Sequence, residues 1–185
     1  MNMVKKVTNS LKQDGISGFT AKVKKHFFNE EKKEYYKWIK QNTPSKQELK
    51  KQRNYKFKYE PKISIVVPLY NTPKKYLLEL IKYVQKQTYS NWELCLADGS
   101  TEPLSFVEPI AKKDSRIKYK VLKENKGISG NTDEALKMVT GDYVALLDHD
   151  DLIPFNSLYE IVKAINESPD AEYLFTDEDK FVDIN

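Results

Sequence analysis

Three aspartates lie within four positions in the segment VALLDHDDL, residues 144–152. Carboxylates this close repel one another unless a positive charge lies between them. Asp148 and Asp150, separated by one residue, can offer oxygens to one hard divalent cation, which prefers carboxylate, water and phosphate oxygens. We therefore predict an Mg²⁺ or Mn²⁺ site at this pair. A cation held there would also bridge to a diphosphate and neutralise charge as that group leaves.

The same aspartates also suit a second role, which is to cap a helix that begins near Pro154. Their position at the end of one apolar run, with Asp98 at the end of another, favours the cation site. His149 is a further possible ligand, but its side chain points away from its neighbours if strand geometry continues. Asp98 precedes Gly99 and Ser100, so its carboxylate either accepts a hydrogen bond from a base or ribose or closes a turn.

Short apolar runs that alternate with helical patterns predict the elements that carry these residues. The strands are apolar on both faces, which indicates a parallel sheet covered on two sides and therefore a Rossmann-like α/β domain. Helices are expected over 73–84, around 102–113, over 129–139 and over 155–165. The predicted strands are ISIVVPL (63–69), WELCLAD (92–98), IKYKVL (117–122), YVALLD (143–148) and AEYLFT (171–176).

An open parallel sheet binds ligands at the carboxyl ends of its strands, in the crevice where the strand order reverses. With the strand order 3-2-1-4, three loops converge on one edge: PLYN (68–71), ADGS (97–100) and DHDD (148–151). The loop NKGISG (125–130) leads into a helix whose amino terminus would favour phosphate. We therefore expect a polar, acidic cleft at this edge.

The charge of the chain is divided between a basic front and an acidic body. Residues 1–60 contain 16 Lys and Arg against six Asp and Glu, whereas residues 61–185 contain 15 against 21. We expect a basic helical extension over 1–60, joined at Glu60–Pro61 to the α/β domain over 61–185. Within the extension, Ser45 and Glu48 form a capping-box pattern for one short helix. Apolar residues at helical spacing are Phe19, Val23, Phe27, Tyr35, Trp38 and Ile39.

A basic front is compatible with a solvated helical appendage, or with contact to an acidic protein, an anionic membrane or nucleic acid. It lacks the glycine–aromatic and zinc patterns of nucleic-acid modules, so we expect no nucleic-acid partner. The chain has no run of 18 apolar residues and no signal pattern. This predicts a cytoplasmic protein. Peripheral contact with the inner face of the membrane through residues 1–58 is compatible with that prediction. The single Cys95 is expected to be a buried, unreactive thiol.

Five motifs follow one another along residues 62–183: ISIVVPLYNTP, QTYSNWELCLADGST, NKGIS, TGDYVALLDHDD and TDEDK. In this order they resemble the amino-terminal half of a family 2 glycosyltransferase of the GT-A fold. Within that family, the chain is most similar to bacterial enzymes that build rhamnan-type cell-surface polysaccharides.

The resemblance implies a UDP- or dTDP-sugar donor and a Mn²⁺ or Mg²⁺ ion. It also implies transfer of the sugar to a hydroxyl of a saccharide or lipid-linked acceptor, with inversion at the anomeric carbon. It places Asp98 at the base, Asp148 by the ribose and the metal, and Asp150 on the metal. Asp151 would support the loop. The other nucleotide-binding residues that it implies are Pro68, Tyr70 and Asn71.

The chain departs from the family pattern at several positions. Ala97 stands where many members have an aspartate, and Thr132–Asp133 stand where many have Arg-Asn, so a nucleoside contact and a phosphate-facing cation are expected to be missing. The family's general base lies beyond residue 185, which implies a truncated domain with an unknown catalytic residue. The TDEDK segment (176–180) is expected near the cleft, but not as the base.

Two other functions remain open from the sequence. LLDHDD also resembles the strand-end motif of aspartate-nucleophile phosphohydrolases, although here it stands on the fourth strand rather than an early one. Alternatively, the α/β body is a scaffold, and the basic helices bind nucleic acid or an anionic membrane.

Overall fold

The computed structural model describes residues 33–179, and the chain divides between Ser45 and Lys46 into two compact units. In the first unit, helix α1 covers 33–42, where the rings of Tyr35 and Trp38 stack with centroids 6.4 Å apart. No helix among the described residues is long and apolar enough to cross a membrane. The predicted apolar positions Phe19, Val23 and Phe27 lie outside the described residues.

The second unit alternates strands with helices, as the sequence predicts. Its helices begin and end within a few residues of the predicted bounds. The elements are α2 (Lys46–Arg53), β1 (Ile63–Leu69), α3 (Lys74–Gln85), β2 (Trp92–Asp98), a 3₁₀ turn (Ser105–Val107), α4 (Glu108–Lys113), β3 (Ile117–Val121), α5 (Gly127–Leu136), β4 (Tyr143–Leu146) and α6 (Ser157–Glu167).

The strands form one parallel sheet in the order β3-β2-β1-β4, which confirms the predicted order. In the register of this sheet, Leu69 of β1 pairs with Asp98 of β2, and Val66 of β1 pairs with Leu146 of β4. Because all strands run the same way, their carboxyl ends lie at one edge, here called the carboxyl edge. The opposite edge is the amino edge.

Alternate residues of β1 face the two sides of the sheet, and helices cover both sides. Ile65 and Val67 pack with the apolar faces of α3 and α6, whereas Val66 packs with Cys95 and with Ala135 of α5. Burying a large aliphatic side chain contributes roughly 1.5–3 kcal/mol, so this alternation holds the helices on the sheet. The thiol of Cys95 is buried, as predicted.

The carboxylate of Glu93 is buried near the amino edge, where the residue is 1% exposed. Lys62 Nζ and Lys118 Nζ lie 2.5 Å and 3.0 Å from Glu93 Oε2, and the Ser64 hydroxyl donates to Oε1 at 2.7 Å. The Thr140 N–H also donates to Oε1. Burial alone would raise the pKa of Glu93, but the hydrogen bonds from Lys62, Ser64 and Thr140 outweigh burial and hold the pKa well below its ordinary value. This network joins three strands to the α5–β4 loop.

The predicted fifth strand, AEYLFT over 171–176, is wrong, because residues 171–179 have no regular secondary structure. Leu174 packs on the core, but Tyr173 and Phe175 are 82% and 81% exposed. A strand needs a hydrogen-bonded neighbour, and within the described residues β4 pairs with β1 alone. The apolar pattern is therefore present here without the partner that would make it a strand.

Residues 46–60 pack with the sheet, although the sequence analysis placed them in the N-terminal extension. The rings of Tyr55 and Phe57 meet edge to face with centroids 4.7 Å apart, and the Phe57 ring lies 5.0 Å from that of Tyr159 in α6. Aromatic contacts of this kind favour association beyond the area that they bury. The compact units divide before this segment, and the expected junction at Glu60–Pro61 stays a prediction.

Replacing Glu93 with Gln should destabilise the fold, because two lysines would remain beside an uncharged group. Losing one partner of a buried ion pair costs about 3–5 kcal/mol, and since both lysines keep some access to water we expect about 3 kcal/mol in urea unfolding. The pKa of Glu93 is depressed in the folded state. The contribution of Glu93 to the free energy of unfolding is therefore fully present above its unfolded-state pKa and is lost as the pH falls below about 4.3.

The control is Glu167→Gln, which removes the same charge from an exposed site on α6. Surface ion pairs contribute about 0–1 kcal/mol, so this variant should unfold almost as the wild type does. Equal stability of the Glu93→Gln variant and the wild type at neutral pH would contradict the role of the network.

Candidate functional site

The loops after β1 and β2 are bound to each other at the carboxyl edge. The Asn71 N–H donates to Ser100 Oγ at 2.8 Å, and the Thr101 N–H donates to Asn71 Oδ1 at 3.0 Å. Asn71 has a φ of 49°, a left-handed conformation that asparagine adopts more readily than most residues. Pro68 is half-buried in β1, and Tyr70 is 48% exposed. Asn71 thus joins two loops, while the Tyr70 ring stays open to a ligand.

Asp98 ends β2 with its side chain fully buried. Its Oδ1 atom accepts from the Ser100 N–H at 3.0 Å, and its Oδ2 atom accepts from the Leu104 N–H at 2.8 Å and from the Tyr119 hydroxyl. Burial, together with the bond to Asp98, raises the pKa of Tyr119 above its ordinary value, so the phenol remains a donor. The structure therefore gives Asp98 the turn-closing role, and its contact to a base stays a prediction.

The acidic segment 148–151 lies in a turn rather than on a strand. β4 ends at Leu146, so the predicted strand over 143–148 is two residues too long. After the bond from the Leu147 N–H to the Val66 carbonyl, the chain turns, and the Asp151 N–H donates to the Asp148 carbonyl at 3.2 Å. The aspartate side chains of this turn are exposed at the carboxyl edge.

Negative charge accumulates in this acidic turn. Although Asp151 is exposed by surface area, partial loss of solvation raises its pKa, and the charges of Asp150, Asp148 and Glu178 raise it further. Because Glu178 belongs to the TDEDK motif, that segment lies near the turn, as expected. The Nδ1 atom of His149 is buried, lies 3.8 Å from Asp150 Oδ1, and makes no hydrogen bond to the described residues.

A divalent cation fits the charge of the acidic turn, but the turn would supply only part of its coordination. Across residues 33–179, no three His, Cys, Asp or Glu side chains are grouped to hold a metal ion. Asp148 and Asp150 would therefore provide two oxygen ligands, with water or phosphate oxygens at the other positions, as is usual for Mg²⁺. The repulsion that raises the pKa of Asp151 would be relieved by such a cation.

Three lysines surround one carboxylate beside the loop that leads into α5. Lys120, Lys126 and Lys137 each place Nζ 2.7 Å from the Glu134 carboxylate. Their hydrogen bonds hold the pKa of Glu134 well below its ordinary value. Three ammonium groups therefore surround one carboxylate beside the NKGISG loop. The hydrogen bond to Glu134 raises the pKa of Lys126, and the charges of Glu124 and Asp133 also raise it.

Asn131 of α5 is a buried residue of this edge that the sequence analysis did not identify. It is 1% exposed, and its side chain makes hydrogen bonds to the end of β1 and to the loop before α5. The glycines of NKGISG indicated the loop, but an asparagine inside a helix gives no sequence signal that it is buried. Only the packing of α5 on the sheet shows its place.

The fold and the carboxyl edge together define a Rossmann-like α/β domain with an acidic turn. The model of glycosyl transferase family 2 matches residues 64–180 of this sequence. The chain therefore belongs to glycosyl transferase family 2, as the motifs predicted, and its fold is that of the GT-A glycosyltransferases.

The chain is similar to several longer bacterial proteins. It is 42% identical over 126 residues to the uncharacterized protein y4gI of Sinorhizobium fredii, which covers 66% of this chain and 14% of y4gI. It is 36% identical over 96 residues to the Escherichia coli UDP-Glc:alpha-D-GlcNAc-diphosphoundecaprenol beta-1,3-glucosyltransferase WfgD, covering 52% of this chain and 38% of WfgD.

Among solved structures, Staphylococcus aureus TarS 1-349 in complex with UDP matches with a TM-score of 0.53 and 29% identity. The match covers 57% of this chain and 32% of TarS 1-349. The chain thus spans well under half the length of each of these proteins.

Tyr119→Phe removes one donor to the buried Asp98 carboxylate, and we expect it to lower the free energy of unfolding by about 1–3 kcal/mol. In the ultraviolet titration of the variant, one tyrosine should also be missing from those that ionise above the ordinary pKa of about 10, because Tyr119 is gone. Tyr143→Phe is the matched control, because the Tyr143 hydroxyl has no hydrogen bond within the described part of the chain. Equal losses in both variants would show that the bond to Asp98 contributes nothing specific.

Proposed function

We propose that this chain is the donor-binding half of an inverting, metal-dependent glycosyltransferase of bacterial cell-surface polysaccharide synthesis. The observation that carries the proposal is the convergence of the loops after β1 and β2 with the acidic turn after β4 at one edge of the sheet. The chain in which they converge belongs to glycosyl transferase family 2. The negative charge of the acidic turn and the lysine amines near α5 suit a ligand that combines a cation with a diphosphate.

The proposed donor is a nucleotide-diphospho-sugar of the UDP or dTDP type. The TarS complex contains UDP, and the name of WfgD specifies UDP-Glc. We assign Pro68, Tyr70 and Asn71 to the nucleotide pocket, with the exposed Tyr70 ring as its apolar surface. Asp148 is assigned to the ribose. The carboxylate of Asp98 accepts three internal hydrogen bonds, so we assign its contact to the base to the remaining lone pair of Oδ1, which accepts from the Ser100 N–H alone among the described residues.

Asp150 and Asp148 are the proposed ligands of the Mn²⁺ or Mg²⁺ ion. When bound, such an ion neutralises the charge that develops on the departing diphosphate. The amino terminus of α5, which Lys126 precedes, lies at the same edge of the sheet and adds partial positive charge there. These groups bind and orient the donor.

The proposed acceptor is a hydroxyl of a saccharide or a lipid-linked saccharide. The name of WfgD specifies a diphosphoundecaprenol-linked acceptor, which supports the second form. Inverting transfer requires a carboxylate that takes the proton of the acceptor hydroxyl. We assign none of the described carboxylates to that role, and the proposal for this chain is the binding of the donor.

Calorimetric titration of UDP and dTDP in the presence of Mn²⁺ tests this proposal. Asp150→Ala should weaken metal-dependent nucleotide binding by at least about tenfold, because it removes a metal ligand. Chelation of the metal should weaken binding by the wild type to a similar extent. The matched control is Asp170→Ala, which removes an exposed carboxylate close to the start of β4, at the amino edge.

Nucleotide binding that persists unchanged in the Asp150→Ala variant would refute the metal assignment. A wild-type chain that binds neither nucleotide would refute the donor assignment. Release of phosphate from an aryl phosphate would instead favour the phosphohydrolase alternative.

We also propose peripheral contact between the basic segment 1–58 and an anionic membrane at the cytoplasmic face. In α1, Tyr36 and Trp38 are 58% and 57% exposed among lysines. Trp and Tyr concentrate at membrane–water interfaces, and lysines are attracted to anionic lipid. These exposed rings are the observation that favours the contact.

Trp38→Ala should reduce co-sedimentation with phosphatidylglycerol vesicles by about threefold or more, because a large interfacial ring is lost. Tyr173→Ala is the control, since it removes a ring that is 82% exposed in the other unit. Phosphatidylcholine vesicles should not sediment the wild type. Equal effects of the two substitutions would argue against the membrane role of α1, and a salt-dependent shift with DNA would favour the nucleic-acid alternative.

A further inference from the structure

The side chain of Asn131 connects the end of β1 to the loop before α5. Its Nδ2 atom donates to the Leu69 carbonyl at 3.3 Å and to Asn125 Oδ1 at 3.0 Å. Its Oδ1 atom accepts from the Lys126 N–H at 3.0 Å. The residue is 1% exposed, so the amide makes its hydrogen bonds inside the protein and does not face solvent.

Gly99 brings a third loop, the one after β2, against Asn131. A Cβ atom at Gly99 would lie 2.6 Å from Asn131 Nδ2, which is closer than side chains tolerate. The Gly99 N–H donates at 3.0 Å to the Leu69 carbonyl, the same group that Asn131 contacts. One carbonyl at the end of β1 therefore receives a donor from the β2 loop and another from α5.

We infer that Asn131 is a positioning residue for nucleotide binding, acting by setting the spacing of these three loops. The inference rests on the proposed function, because the ligand of the loops is the nucleotide proposed above. The amide supplies two donors and one acceptor at fixed angles. An apolar residue would fill the same space without joining the loops.

A positioning role predicts a loss of affinity in the folded protein, whereas a purely structural role predicts a loss of stability alone. The test compares Asn131→Ala with Ser64→Ala, whose hydroxyl is equally buried but hydrogen-bonded to Glu93 near the amino edge. With UDP and Mn²⁺, and below both melting temperatures, Asn131→Ala should raise Kd by at least about tenfold. Ser64→Ala should leave Kd within about twofold while lowering the melting temperature.

Gly99→Ala provides a second test through the same contact. Alone, the added methyl group should weaken UDP binding by displacing the Asn131 amide. In the Asn131→Ala background the methyl group has space, so its additional effect should be less than about twofold. Amide hydrogen exchange at Lys126 should be faster in Asn131→Ala and unchanged in Ser64→Ala, since only the first variant removes its acceptor.

The outcomes separate this inference from the proposed function. If the wild type binds UDP and Asn131→Ala binds it equally well, the inference is overturned and the proposed function stands. If the wild type binds no nucleotide, the proposed function fails, and the inference fails with it. Additive effects of Gly99→Ala and Asn131→Ala would also overturn it. Should Asn131→Ala not fold, Asn131→Ser, which keeps a small polar group, takes its place in the same comparison.

Discussion

The parallel pairing of β1 with both of its neighbours is the constraint on which the site depends. The register sets Leu69 opposite Asp98 on one side and Val66 opposite Leu146 on the other. A slip of one residue would turn every side chain of β1 to the opposite face of the sheet. It would change the packing against the helices on both faces and move the Ser64 hydroxyl away from Glu93. The backbone register therefore brings the loops after β1, β2 and β4 to one edge of the sheet. Side-chain hydrogen bonds then fix the loops after β1 and β2 relative to each other.

The two edges of the sheet contain carboxylates in opposite electrostatic states. At the amino edge, Glu93 is buried with Lys62 and Lys118, so its charge is neutralised within the protein and stabilises the fold. At the carboxyl edge, Asp151 has further carboxylates around it, and its pKa is raised. Uncompensated repulsion between carboxylates destabilises a folded chain. Carboxylates with perturbed pKa values therefore concentrate at functional sites, where their charge has a use. The first network thus stabilises the domain, and the second is the cation site of the proposed function.

The direction and order of the four strands could be predicted because mostly apolar runs bounded by turn residues alternate with helical patterns, although β3 (IKYKV) alternates apolar residues with lysines. The prediction failed for 171–176, where the pattern is strand-like but no described strand lies beside it. In 46–60, lysines dominate the composition, while Tyr55 and Phe57 provide the packing surface. Both segments lie at the periphery of the core, where a particular partner, rather than average hydrophobicity, decides the structure.

Within the site, sequence spacing could identify the strand ends but not the hydrogen bonds between loops. The roles of Asn71, Asp98 and Asn131 depend on partners from distant segments, and no local pattern specifies these partners. On the proposed function, these bonds order the nucleotide side of the cleft in advance, which lowers the entropic cost of binding. In the acidic turn, the ion pair that the described residues provide is the one between His149 Nδ1 and Asp150 Oδ1, at 3.8 Å. On the proposed function, a cation and a diphosphate each supply the charge that the other needs there, so their binding is thermodynamically coupled, each raising the affinity for the other by the same factor.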